Sequence, residues 1–342
     1  MIAYSFVAAV IGAGFASGQE ILSFFTVYGK WGAVGIGLSA ALFGGFAYFI
    51  LEVCRKEQIA DYNALMRKIM SRRMQAVSNG LTFLFLICSY SVMTACFGEM
   101  MFLLFGMNKA ILSVVFTAVC TIILCTGADR ALKLNGVLGI IIAAGITGTA
   151  LYILRYREHQ TFAPQVSALI SGAGYSGYNL IGSGVILAKM SSRIKSKGEA
   201  ALTGAISAGA LMIMMGLIYL LLSIYYKYIN LGEIPMLTLA MRENNIITYF
   251  YSVMLVLAVM TTAISSGTGA IELLSVSGGT RLVAAAAVGS AGLLISCAGF
   301  STVINTAYRL CGYAGMMIIL YIIFGYIKYL KNLKKVEKQR NL

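Results

Sequence analysis

Apolar residues dominate this chain in long unbroken runs, separated by short stretches that carry most of the charge. Ten runs are long enough to cross a bilayer, which takes about 20 residues of helix. They cover roughly 3–27, 32–54, 76–106, 110–127, 132–154, 163–189, 200–226, 246–273, 282–298 and 300–327. Hydrocarbon offers no hydrogen-bond partner, so each crossing segment must satisfy its own backbone. These runs are too continuous for the apolar-out, polar-in alternation of barrel strands. The pattern therefore predicts an all-α membrane protein with ten transmembrane helices, numbered here as spans 1 to 10. Two connections are longer than a tight turn needs. Residues 57–74 are basic and amphipathic, as in a helix lying on the inner surface. Residues 228–245, with Gly232 and Pro235, suit a short outer helix or lid.

Two of the runs contain matching glycine clusters. Span 1 reads Gly12-Ala13-Gly14-Phe15-Ala16-Ser17-Gly18, and span 6 reads Gly172-Ala173-Gly174-Tyr175-Ser176-Gly177. The clusters lie 160 residues apart, near half the chain length, and each opens a group of five spans. Five is odd, so the second half runs inverted relative to the first. The expected organisation is a first repeat over 1–155, an inverted second repeat over 156–327 and a basic tail over 328–342, all in one membrane domain. Glycine inside a helix costs about 1 kcal/mol relative to alanine, so the clusters predict breaks in helices 1 and 6. Interrupted backbone is tolerated at membrane depth only where it is buried or lines a cavity. Paired breaks in inverted halves point to a transporter's binding site. On this reading Gly12, Gly14, Phe15, Ser17, Gly18, Gly174, Tyr175, Ser176, Tyr178 and Asn179 surround a solute. The competing reading is that the glycines only let helices pack closely. A phosphate-cradling loop is excluded, because no strand precedes the motif and no Gly-Lys-Ser/Thr follows it.

Composition narrows the function classes. Of 342 residues, 59% are hydrophobic and 11% charged, against roughly 25% charged in soluble proteins. The net charge of +14 does not signal nucleic acid here, because its carriers sit in the loops between spans. With the N-terminus inside, 19 basic residues fall in inner loops and the tail, among them Arg55, Lys68, Lys189, Arg281 and Lys328. Six fall outside: Lys30, Lys109, Arg155, Arg157, Lys227 and Arg242. Cytoplasmic loops carry the Lys/Arg excess, so ten spans with both termini cytoplasmic in a bacterial-type plasma membrane are expected. The first run has no basic region before it and reads as a membrane segment instead of a cleaved leader. The seven cysteines form no Cys-x-x-Cys pair and lie almost wholly within apolar runs, as packing residues do. The single histidine, His159, cannot build a zinc or catalytic cluster. Apart from sodium, considered below, no cofactor is expected.

The stretch Val10-Ile11-Gly12-Ala13-Gly14-Phe15-Ala16-Ser17-Gly18-Gln19-Glu20, followed by Tyr28-Gly29, resembles the start of the YkvI-like bacterial membrane proteins. More broadly the chain resembles the amino acid–polyamine–organocation superfamily, with its five-plus-five inverted-repeat, LeuT-type fold. The resemblance implies alternating-access symport of a small solute, most often an amino acid. In sodium-coupled relatives one ion lies between carbonyls of broken helix 1 and hydroxyls of helix 8, where the pattern is Ala-x-x-Thr-Ser/Thr. Ala258-Val259-Met260-Thr261-Thr262 fits that pattern, with Ser265 a turn further on and Ala8 and Ile11 as the matching carbonyls. The alternative is that these hydroxyls bond back to carbonyls of their own helix. Span 5 carries no clear lysine of the kind that replaces sodium in proton-coupled relatives, which favours sodium.

Ionisable groups inside spans are costly and mark functional candidates. Glu20 follows the first break and is a candidate for gating or proton coupling. Glu99 lies in span 3, where Tyr90 is the expected solute contact. Arg309 in span 10 is an expected gate partner for Glu20 or Glu99. The bland reading for each is a side chain snorkelling to the interface. The expected function is an ion-coupled secondary transporter that binds a small solute in a lipid bilayer. The second reading is a transporter-like sensor that binds without moving its ligand. An enzyme is not expected, since no His/Cys/Asp constellation is present.

Overall fold

The computed structural model describes residues 2–59, 62–126, 129–154, 167–226, 232–274 and 280–340. His159, Arg155, Arg157 and Lys227 fall outside that set. Helix accounts for every apolar run among the described residues, and no strand occurs there. Span 1 comprises α1 (Ile2–Val10), α2 (Ala13–Ala16) and α3 (Gln19–Phe24). Spans 2 to 5 are α4 (Trp31–Glu57), α6 (Arg72–Phe105), α7 (Lys109–Thr126) and α8 (Asp129–Ile153), with α5 (Tyr62–Ile69) between the first two. Spans 6 and 7 are α9 (Ser167–Met190) and α10 (Lys197–Ile224). After α11 (Pro235–Glu243), spans 8 and 9 are α12 (Asn245–Leu273) and α13 (Arg281–Ser296). Span 10 joins α14 (Phe300–Val303) to α15 (Arg309–Arg340) through a wider π-helical turn, Ile304–Tyr308. Spans 2, 3, 4, 7, 8 and 10 are each long and apolar enough to cross a membrane, and α13 is a shorter apolar helix.

The expected break in span 6 is not present. Residues Ser167–Met190 run as one α-helix, and its glycines serve packing. A Cβ on Gly172 would lie 2.6 Å from the Gly35 carbonyl oxygen of α4, and one on Gly177 would overlap the Gly312 carbonyl of α15. Gly174 similarly makes room for the Tyr313 ring. Helix α9 thus threads between α4 and α15 at backbone contact, the use that small residues have in membrane helices. Polar side chains reinforce the seam: Ser39 Oγ donates to the Gly172 carbonyl at 2.8 Å, and Ser171 Oγ donates to the Phe24 carbonyl at 2.8 Å. Ser176, Asn179 and Ser183 bond back to carbonyls of α9 itself, which lets polar residues remain in a continuous helix.

Both long connections contain the expected helices. At one end α5 lies beside the ends of α4 and α15, where Lys68 pairs with Glu57 and the Tyr326 and Tyr329 hydroxyls donate to the same carboxylate. At the other end α11 caps the bundle. Its Met236 N–H donates to the Ser17 carbonyl at 3.0 Å, and the Met236 side chain rests on Gly18.

Candidate functional site

Span 1 is interrupted twice, and the first interruption opens into the middle of the molecule. Gly12 is extended (φ −94°, ψ −177°) between α1 and α2. A continuous helix would send the Gly12 and Ala13 N–H groups to the Ala8 and Ala9 carbonyls. Instead Gly12 N–H donates to Val10 and Ala13 N–H donates to Thr262 Oγ1 at 3.3 Å. The helix bonds that would use those two carbonyls are therefore lost where the chain meets α12. The second interruption, at Gly18, takes a left-handed conformation (φ +79°), which glycine adopts without steric cost. Ser17 Oγ closes it, donating to the Gly14 carbonyl and accepting from Gln19 N–H.

A cavity of about 570 Å³ adjoins the first interruption. Of the residues expected at a site, Ala8, Ile11, Gly12, Gly14, Glu20, Tyr178, Asn179, Thr261, Thr262 and Ser265 line it. Phe15, Ser17, Gly18, Gly174, Tyr175, Ser176 and Ala258 do not. Tyr90 also points elsewhere: it is fully buried, with its ring against Gly292 of α13. Span 3 instead presents Phe85, Leu86, Ser89 and Met93. Register accounts for this difference, because Ser89 and Tyr90 sit about 100° apart around the helix. Ser89 is held by Ser266 Oγ of α12 at 2.9 Å. Tyr308 and Ser183 are further polar lining residues that sequence reasoning did not select. The Tyr308 position depends on the π-helical turn, which no local sequence signal announces.

Glu20 is 5% exposed, and its carboxyl folds back over Gly14. A Cβ on Gly14 would overlap Glu20 Oε1, so the glycine is what admits the carboxyl. The Tyr175 and Tyr178 hydroxyls approach it without closing a well-aligned hydrogen bond. Arg309 pairs with neither Glu20 nor Glu99. Its guanidinium donates to the Ser23 carbonyl at 2.6 Å and lies over the Phe24 ring, 5.7 Å from the centroid. The Ser23 carbonyl lies near the free C-terminal end of α3, where a cation is favoured. Glu99 pairs with Lys109 of α7.

The two ends of the cavity differ. Toward α3 it is shut by packed rings: Phe24, Phe85, Tyr175, Tyr178 and Tyr308 form a chain of edge and tilted contacts with centroids 5.0 to 5.7 Å apart. Arg309 lies beyond them. Toward the C-terminal end of α9, the lining residues Gly182 and Lys189 are exposed. The cavity is thus closed on the side where α11 sits and open on the other.

The donor set beside the first interruption suits a hard monovalent cation. The released Ala8 carbonyl, the Ile11 carbonyl and the hydroxyl oxygens of Thr261 and Thr262 are neutral oxygens on facing elements. Thr261 Oγ1 donates to the Leu257 and Ala258 carbonyls of its own helix. That back-bonding uses its proton and leaves lone pairs over. Ala258, already accepting from Thr261 and absent from the cavity wall, is the weakest member of the expected set.

No protein-family model matches the chain. Among curated proteins it is similar to the uncharacterised protein YyaD of Bacillus subtilis (strain 168), at 23% identity over 270 residues, covering 75% of either chain. Among solved structures it resembles a Na⁺-coupled sialic acid symporter in a substrate-bound outward-open state. That match has a TM-score of 0.60 at 16% identity, covering 94% of this chain and 78% of the symporter. A mutant of the manganese transporter of Eremococcus coleocola matches with a TM-score of 0.55 at 16% identity, covering 96% and 78%. The chain has the fold of these transporters.

Proposed function

We propose that this chain is a secondary active transporter that moves one small solute across a bacterial-type plasma membrane by alternating access. The observation that carries the reading is the interrupted first span, whose freed backbone faces a central cavity sealed on one side and open on the other. A one-sided cavity around a broken helix is what one state of an alternating-access cycle requires. The open side is the end that carries Lys189, α5 and the start of the basic tail. The Lys/Arg rule makes that end cytoplasmic, so the conformation is inward-facing with both termini inside.

The repeat organisation, 1–155 and 156–327, is part of the proposal. Helix contacts support it: span 1 packs on span 7 as span 6 packs on span 2, and span 8 meets span 4 as span 3 meets span 9. Each pair exchanges into the other when five is added to or taken from the span number. Membership of the YkvI-like proteins, and of the wider amino acid–polyamine–organocation group, belongs to the same proposal. So does an amino acid or related metabolite as solute.

The driving ion is sodium, held by the Ala8 and Ile11 carbonyls, Thr261 and Thr262, with Ser265 nearby. Purified protein in proteoliposomes tests this. A solute should accumulate against its gradient when sodium is placed outside, and Thr262→Ala should raise the sodium concentration needed by about tenfold or more, the loss of one hydroxyl ligand being worth at least ~1.4 kcal/mol. Accumulation that ignores sodium but follows a proton gradient would move the coupling role to Glu20. Ligand binding with no accumulation under either gradient would favour the sensor reading.

A further inference from the structure

We infer that the solute docks through a cationic nitrogen held against Glu20, so that the position beside this carboxyl receives an alkylammonium group, that of an amino acid included, and turns a carboxylate away. This deepens the transport-site reading above and rests on it. Glu20 is a carboxyl almost wholly removed from solvent, lining the cavity, with no ion-pair partner among the described residues. A buried carboxylate is costly unless a cation or a proton joins it. Arg309 forms no ion pair with Glu20: one guanidinium nitrogen donates to the Ser23 carbonyl and the group lies over the Phe24 ring. Among the described residues, the only other charged one on the cavity wall is Lys189, exposed at the mouth.

The space over Gly14 adjoins both the interrupted helix and the cavity. Glu20's own carboxyl fills it. An incoming carboxylate would therefore meet a like charge. An ammonium group on the cavity side of that carboxyl meets the carboxyl on one side and aromatic rings on the other. Phe85, Tyr178 and Tyr308 all line the cavity, with centroids 5.0 to 5.3 Å apart. Ring faces attract organic cations. A metal ion at this spot would want several charged or carbonyl oxygens, whereas one carboxyl beside two tyrosine hydroxyls and their rings suits an alkylammonium better.

The test uses the full-length protein in detergent, with thermal shift and titration calorimetry against n-butylammonium, n-butanol and butyrate at fixed sodium. Butylammonium should raise the melting temperature, and butanol and butyrate should not. Glu20→Gln should weaken butylammonium binding about thirtyfold or more, the range for removing one member of a buried charge pair. Glu20→Asp and Gly14→Ala, which shift the carboxyl without removing it, should weaken binding by less. They carry the test if the glutamine variant fails to fold. The inference is overturned if no amine binds, if butyrate binds as well as butylammonium, or if Glu20→Gln leaves amine affinity unchanged. It is also overturned if sodium alone gives a shift that depends on Glu20, which would place a metal on the carboxyl. Proteoliposomes separate the two layers. Gradient-driven uptake of an uncharged solute, unaffected by Glu20→Gln, would sink the inference and leave transport standing. Amine binding without uptake under any gradient would do the reverse.

Discussion

Gly177 has no room for a methyl group, because its Cα faces the Gly312 carbonyl across the α9–α15 seam. Gly177→Ala should therefore lower stability by about 1–3 kcal/mol, the cost of overpacking. Gly216, in α10, has nothing near its missing Cβ. Gly216→Ala should be neutral or stabilising by up to ~1 kcal/mol. Thermal unfolding in detergent checks the pair, and equal effects would refute the packing role. Glu233, in the connection before α11, titrates in an unusual setting. Burial raises its carboxyl above the ordinary 4.5, and the charge of Glu99 raises it further, against the pull of Lys109 and the Phe300 and Ser301 N–H groups. A raised value means that the folded state holds the proton more tightly than the unfolded chain. The resulting stability is complete below pH 4.5 and is lost as pH rises through the raised value. Relative to Glu233→Gln, the native protein should thus lose melting temperature across that interval; parallel curves would contradict the assigned surroundings. Residue chemistry was legible in part. Glu20 stood out as an acid in an apolar run, and Thr261 and Thr262 as hydroxyls on one turn. Which way Tyr90 faces was not legible, because its register depends on the tilt of α6 against α13.

Spans 1 and 6 carry nearly the same glycine pattern, yet only span 1 is interrupted. The difference lies in what each faces. Ala13 N–H finds Thr262 on α12, which rewards leaving the helix bond. Gly172 and Gly177 find backbone of α4 and α15, which rewards staying helical so that the seam closes. Those partners are between 135 and 249 residues away in sequence, so the local pattern alone could not separate the cases. The closed side of the cavity is also an element-scale device, with Arg309 of α15 strapped to the end of α3. Arg309→Ala removes a charge-assisted hydrogen bond and a cation–π contact. It should shift the population toward the state open on that side. The readout is modification of Ser89→Cys, in a background lacking the native cysteines, by an impermeant thiol reagent added outside. Labelling should speed up several-fold in the arginine variant. An unchanged rate would mean that the strap does not hold the gate.

For the whole molecule, the ten apolar runs and the short helices in the two long connections could be read directly, because hydrocarbon forces each span to satisfy its own backbone. The central cavity could not. It arises from how spans 1, 3, 5, 6, 8 and 10 meet, which hydropathy does not encode. The charge distribution predicts that tags on either terminus are digested by protease added to inside-out vesicles and protected in right-side-out ones. Protection of only one terminus would overturn the topology. The π-helical turn at Ile304–Tyr308 has a further consequence at this scale. It holds one residue more than an α-turn, so it sets the rotational phase between Tyr308 at the cavity and Gly312 and Gly315, which meet the Gly174 and Gly177 carbonyls. Excising a single residue there would swing the rest of α15 by about 100°. Its smooth flank would then turn toward lipid and a bulkier flank toward α9, so the spacing between aromatic plug and glycine seam cannot drift by one position without both being lost together.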